Sequence, residues 1–246
     1  MTALPADIRH HAALDARLVK AVRGIRLLAL ASWPAALQAP FLDSVARGQP
    51  RLPQVQYPRL DFAETRRELA AIAQAADPAH PLGAYLRASV RSWDLAAALL
   101  ESLGTPAVGA YSTQLFGAPE DPMPGHGPTT RDAARHFIHI AQELDRELLS
   151  AEEQVPVSAS ALRLLLQRDL DEFFGARVIA VELDPDLLAK AAAGAHRIRL
   201  RSGASFSGYD RAQLFHHEAL VHSLTALNGR EQVQLPSLAL SSPSCG

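Results

Sequence analysis

His217-Glu218-Ala219-Leu220-Val221-His222 decides how this chain is read: two histidines bracket a short segment that opens with a glutamate, in an apolar stretch near the C-terminus. Neutral imidazole nitrogens hold a zinc ion, and a neighbouring carboxylate is the general base that hydrolysis at such a site needs. The residue types therefore point to metal-assisted hydrolysis. Their spacing departs from the zinc-protease helix, where the histidines stand at i and i+4 on one face. Here they are five apart. On a regular helix i+4 lies roughly 40° from i, whereas i+5 lies roughly 140° away. A π-type turn, with one extra residue in the hydrogen-bonded loop, realigns i and i+5, and such turns are frequent at functional sites. The spacing predicts one between Glu218 and His222, on a helix from Tyr209 to about Leu227. Imidazoles more than about 7 Å apart could not share a zinc at Zn–N of about 2.0–2.1 Å. His216 points to another side of such a helix and is not expected to be a ligand.

Immediately upstream, His196 to Arg201 alternates as His-Arg-Ile-Arg-Leu-Arg, a half-buried strand with Ile198 and Leu200 on one side. Its arginines read either as a solvated face or, through Arg199 or Arg201, as a clamp for the C-terminal carboxylate of a peptide. A strand directly before the metal helix is also a candidate cleft edge, to which an extended substrate adds by main-chain pairing. Val178-Ile179-Ala180-Val181 is a second β-branched run, and Asp184 to Ala193 reads as a helix between the two.

Before residue 175 helical spacing dominates. Ile8 to Val22 forms one periodic stretch, and Ile25 to Leu30 leads through Trp33-Pro34 into a short helix ending near Ala46. Gln49 to Pro58, with Pro50, Pro53 and Pro58, is an extended connector. Asp61 and Glu64 form a capping-box pattern for a helix to Ala75, and another helix runs from Leu82 to Leu103. A Pro/Gly-rich loop over Gly117 to Pro128 contains His126, and strong helices follow over Thr129–Leu149 and Ser158–Phe174. His136 and His139, at i and i+3, lack an accompanying acidic ligand pattern. The expected fold class is α+β, mostly helical, with a small sheet preceding a zincin-like active-site helix. We expect a single domain over 1–246, with a helical lobe (1–175) and a strand-helix active-site segment (176–246).

At 246 residues and 48% hydrophobic the chain can bury a substantial core. A net charge of −2 gives no basic footprint for nucleic acid. The one cysteine, Cys245, excludes an intramolecular disulfide and fits a reducing compartment. The N-terminus has no secretory h-region and no stretch approaches about 18 apolar residues, so neither a membrane span nor export is expected and the localisation reads as cytoplasmic. Of the 24 basic residues only Lys20 and Lys190 are lysine, a bias that suggests a GC-rich bacterial genome.

Behind the second histidine, Leu224-Thr225-Ala226-Leu227-Asn228-Gly229-Arg230-Glu231-Gln232 completes a longer pattern: His-Glu-x-x-x-His, then Leu-Asn-Gly-x-x-Gln. It resembles the bacterial proteins named for a flavohemoglobin expression-modulating Gln-Glu-Gly-Leu-Ala motif, which are similar to the animal microtubule-associated tyrosine carboxypeptidases. Asp186 to Ser207, Ile25-Arg26-Leu27-Leu28 with Trp33-Pro34, and Gly104-Thr105-Pro106 before Tyr111-Ser112-Thr113 share the likeness. The resemblance implies that His217 and His222 are zinc ligands, that Glu218 is the general base, and that the substrate is a peptide or protein C-terminus. Tubulin, the substrate of the animal relatives, does not suit a bacterial chain. Asn228 and Gly229 are expected to close the helix, with Gly229 in a left-handed cap. Asn228 and Arg230 are candidate substrate contacts, Arg230 alternatively structural.

The resemblance also implies a third zinc ligand, the glutamate of a downstream Gln-Glu-Gly-Leu-Ala. After Gln232 the chain runs through Leu235-Pro236-Ser237-Leu238 to Gly246 without it. Glu231 and Cys245 are poor substitutes, one in the expected Asn-Gly turn and the other in a terminal tail. We therefore expect the N-terminal part of a longer metallopeptidase, with weak zinc affinity and little or no activity by itself. The competing function is a non-catalytic regulator or binding module.

Overall fold

The computed structural model describes residues 5–123, 125, 127–144, 156–187, 189–240 and 243. His126, Cys245 and the 145–149 end of the helix expected over Thr129–Leu149 lie outside them. The chain divides into two compact units, one made of 1–118 with 234–246, the other of 119–233.

The first unit is helical: α1 (Ala6–Val22), α2 (Leu27–Ala31), α3 (Gln38–Ala46), α4 (Ala63–Ala75), α5 (Pro81–Glu101) and α6 (Ala107–Phe116). Leu14, Leu18 and Val22 recur at helical spacing on α1 and bury against Leu69 and Ile72 of α4 and Leu86 and Leu100 of α5. Arg66 of α4 bonds both Asp94 (2.7 Å) and Glu101 (3.3 Å) of α5. Asp61 accepts from Ala63 N–H at 2.8 Å, but the helix begins at Ala63 after Phe62 and the reciprocal box with Glu64 does not form. The sequence reading passed over α6, which starts directly behind Gly104-Thr105-Pro106.

Ala6–Ala46 holds an 18-residue window apolar enough by composition to cross a membrane, little of it buried. The backbone breaks it into pieces, since α2 has five residues and α3 nine. A continuous membrane-spanning helix needs about 20.

The α1 stripe carries a buried carboxylate. Asp15 is fully buried and accepts from the backbone N–H of Ser237 (2.9 Å) and from its hydroxyl; that hydroxyl lies 2.8 Å from the Tyr85 hydroxyl. Burial pushes the Asp15 carboxyl up from its ordinary value, and the two Ser237 bonds only partly counter this. A raised folded value means that this residue's contribution to stability is full below the unfolded carboxylate range and is lost as pH rises through the folded value. Asp15→Asn removes that dependence. In melts between pH 4 and 8, the variant is expected to gain on the unsubstituted protein as pH rises. A constant difference across the range would show that Asp15 does not titrate with folding.

The second unit begins with α7 (Thr130–Leu144), which leaves Phe137 and Ile138 exposed. It continues with β1 (Val157–Ser158), α8 (Ala159–Phe174), β2 (Ala180–Asp184), β3 (Ala191–Gly194), β4 (Arg197–Arg201) and β5 (Ser205–Phe206). Sheet order is β2-β4-β3, with β2 parallel and β3 antiparallel to β4, while β5 pairs with β1. Ile198 and Leu200 point inward with Ile179 and Val181, and α8 covers them with Leu162, Leu166 and Leu170. Because α8 belongs to this core, the division between units falls at 118/119 and 233/234, not at the change of period near residue 175.

Two expectations are corrected here. Asp184 to Ala193 is not a helix: its last residues form β3, because pairing with β4 outweighs the helix preference of the alanines. The arginine strand is not a cleft edge. It is the central strand, with neighbours on both sides. The fold class is as read, α+β and mostly helical with small sheets.

Candidate metal centre

The helix that carries the histidine pair is built in three pieces: α9 (Gly208–Leu214), a π-helical segment (Phe215–Ser223) and α10 (Leu224–Glu231). Its start is a capping box, in which Asp210 accepts from Ser207 N–H (2.6 Å) while Ser207 accepts from Asp210 N–H (3.4 Å). Burial pushes the Asp210 carboxyl up, but bonds from Ser207 and Lys190 outweigh it and hold it below the usual range. One turn on, Arg211 grips Asp169 of α8 with two parallel bonds (2.7 and 2.5 Å), which lowers the Asp169 carboxyl. These contacts fix the rotation of α9.

The wide turn predicted from the histidine spacing is present, and it extends over nine residues. Leu224 N–H reaches back five residues to Ala219 O. The buried positions show why the chain folds this way. Leu214, Ala219 and Ser223 turn inward, and the step from 214 to 219 is five residues. In a regular helix Glu218, four after Leu214, would occupy that inward stripe, and an unpaired buried carboxylate is costly.

The consequence is the geometry of the pair. His217 Nε2 and His222 Nε2 lie 3.2 Å apart, with ring centroids 4.7 Å apart and planes at 88°. Two nitrogens on one tetrahedral zinc are about 3.3–3.4 Å apart for Zn–N of about 2.0–2.1 Å. The pair therefore matches one edge of a zinc tetrahedron. Ligand atoms of His217, Glu218 and His222 all fall within 4.8 Å of one another, and among the described residues no other such group of three forms. The histidines are exposed and Glu218 half-buried, so the group is open to solvent.

The other candidates fall elsewhere. His216 lies outside the group and lines an open pocket of about 550 Å³ with Asp169, Phe173, Arg211 and Phe215. His139 pairs with Glu143 at 3.4 Å on exposed α7. Arg199 already bonds Asp184 (2.9 Å), and its neighbour Arg197 faces Glu182 (3.7 Å), so this face of the sheet is a ladder of ion pairs. A substrate carboxylate at Arg199 has to displace Asp184. Arg201 is half-buried and also has a partner. Asn228 and Arg230 are exposed on α10, about 9 and 12 Å along the axis from His222. Gly229 does not close the helix, which continues to Glu231; Gly229 is buried within it.

Sequence reasoning missed Ser223, which is fully buried and donates to Gly194 O of β3 at 2.9 Å. Its small size beside an apolar run was the available signal. It also missed the Asp169–Arg211 pair, whose 42-residue separation hides it from any local pattern.

Comparison with curated proteins and with solved structures gives no match. The family model described as microtubule-associated tyrosine carboxypeptidase matches residues 40–246. The wide-turn helix with its paired imidazoles lies inside that span, and the chain belongs to this family.

Proposed function

We propose that this chain carries the zinc centre of a metallopeptidase that removes residues from the C-terminus of a peptide or protein. The observation that carries the reading is the 3.2 Å approach of His217 and His222 across a five-residue spacing. A wide turn produces it, and the two nitrogens, which without metal hydrogen-bond each other, stand at the separation that sharing one ion requires. His217 and His222 would hold zinc through Nε2. When bound, zinc supplies Lewis-acid polarisation of the scissile carbonyl and makes water a usable nucleophile near neutral pH. Glu218, within 4.8 Å of both imidazoles, takes the proton from the attacking water and returns it to the leaving amine. The family's name, a tyrosine carboxypeptidase, supports a C-terminal substrate.

Catalytic zinc sites usually take three protein ligands. The group here offers two imidazoles and the one carboxylate that this reading uses as the base. We assign the third ligand to a carboxylate outside this group, as in the motif that names the resembling bacterial proteins, and expect weak zinc binding and little turnover where that carboxylate is not in place. The same two-imidazole set supports a second reading, a metal-binding regulator without catalysis.

Glu218→Gln separates the two. The peptidase reading expects zinc affinity to stay within about twofold while hydrolysis of a tyrosine-ended peptide, measured with the third ligand supplied, falls by about 10²–10⁴. Turnover unaffected by the substitution would remove Glu218 from the chemistry.

A further inference from the structure

The metal helix has two available registers, and the tertiary contacts must choose between them. An isolated helix favours the regular form, because π turns are rare. In the regular form His217 and His222 diverge by roughly 140°. The choice of register is therefore the choice between a metal pair and two separate surface histidines.

Two anchors bracket the segment where the choice is made. On the N-terminal side the capping box and the Arg211–Asp169 grip set the phase, so that Leu214 turns inward. On the C-terminal side stands Ser223, nine residues on and fully buried. Nine steps of about 100° leave Ser223 about 180° from Leu214, facing outward. Nine steps of about 82°, the value for a ladder closing five residues back, leave it about 20° from Leu214. Ser223 can be inside together with Leu214 only in the wide register.

A serine within a helix ordinarily bonds a carbonyl of its own preceding turn. This one instead donates to Gly194 O on β3, at 2.9 Å. That bond exists only when the helix is in the wide phase, and Ser223 directly follows His222. We infer that Ser223 is a positioning residue for the metal pair: its hydroxyl, held by the Gly194 carbonyl, locks the helix in the register that brings His217 and His222 together. The inference rests on reading that pair as a zinc site.

The test is titration of the whole chain with Zn²⁺, and with Co²⁺ as an optical probe, for four proteins: unsubstituted, Ser223→Ala, Ser223→Thr and Leu162→Ala. Leu162 is fully buried in the core of the same unit, so its variant loses stability without touching the hydroxyl bond. Ser223→Ala is expected to bind both metals about three- to tenfold more weakly, the worth of one buried hydrogen bond that distinguishes the registers. Ser223→Thr keeps the hydroxyl and is expected to recover most of that loss. Leu162→Ala, measured where it is folded, is expected to keep the unsubstituted affinity.

Equal affinity for Ser223→Ala and the unsubstituted protein overturns the inference, as does an equal loss in Leu162→Ala, which would mark Ser223 as merely structural. If Ser223→Ala does not fold, Ser223→Thr decides: affinity within about twofold of the unsubstituted protein supports the lock. A Thr variant that is folded and weakened about tenfold overturns it. No binding by the unsubstituted protein at millimolar metal removes the zinc reading itself, and the positioning role with it.

Discussion

Alanine at His217 or at His222 is expected to abolish saturable zinc binding, with affinity falling by at least about a hundredfold for each. The magnitude follows from the size of the ligand set. Where a site draws on only two imidazoles, loss of either leaves one nitrogen, and one nitrogen does not compete with water. The folded state should survive the change, because both rings are exposed and their contact is with each other. Surface substitutions of this kind usually move stability by no more than about 0.5 kcal/mol. Two measurements therefore separate metal from fold. Titration with Zn²⁺ should show saturable binding lost, and melting without metal should be unchanged. A ligand that binds only the folded state raises the melting point, so added zinc should stabilise the unsubstituted protein and neither variant. Retained, saturable zinc in either variant would place the ion elsewhere.

Gly83→Ala is expected to be the most damaging single substitution in the helical unit. Gly83 sits in the first turn of α5, behind Pro81 and the His80 cap, whose ring accepts from Leu82 N–H at 3.1 Å. A Cβ there would lie 1.8 Å from Asp77 O, 2.7 Å from Asp77 C and 3.0 Å from Asp77 N. All three are backbone atoms, so no side-chain rotation relieves the clash. Either the Asp77–His80 turn or the start of α5 must move, and α5 carries Leu86, Val90, Ala96, Ala97 and Leu100 of the core. The expected cost is upwards of about 3 kcal/mol. That corresponds to a fall of roughly 6–12 °C in the melting midpoint. Both tryptophans, Trp33 and Trp93, belong to this unit, so their fluorescence reports its unfolding directly. An unchanged midpoint would mean the 77–83 turn yields at no cost.

The parts legible in the sequence were those set by local periodicity. The five-residue histidine spacing demanded a wide turn, and the same step recurs in the inward stripe from Leu214 to Ala219. The long helices α1, α4, α5 and α8 followed from apolar spacing near their observed ends. What sequence did not disclose depends on partners far along the chain. Nothing local makes Ala191 to Gly194 a strand; β4 does. Nothing local shows that Arg199 is committed to Asp184, or that Asp15 meets a serine 222 residues away. The cleft-edge reading of the arginine strand failed for the same reason. Alternation fixes which side chains are inside, but does not say whether a strand lies in the middle of its sheet or at the border.

The unit that bears the histidine pair is one unbroken run of chain, whereas the helical unit is assembled from two pieces on either side of it. The architecture is thus a guest module spliced into a host. A gene segment encoding 119–233 takes the guest out whole, with its own apolar interior, while any cut that keeps the host whole has to rejoin residue 118 to residue 234.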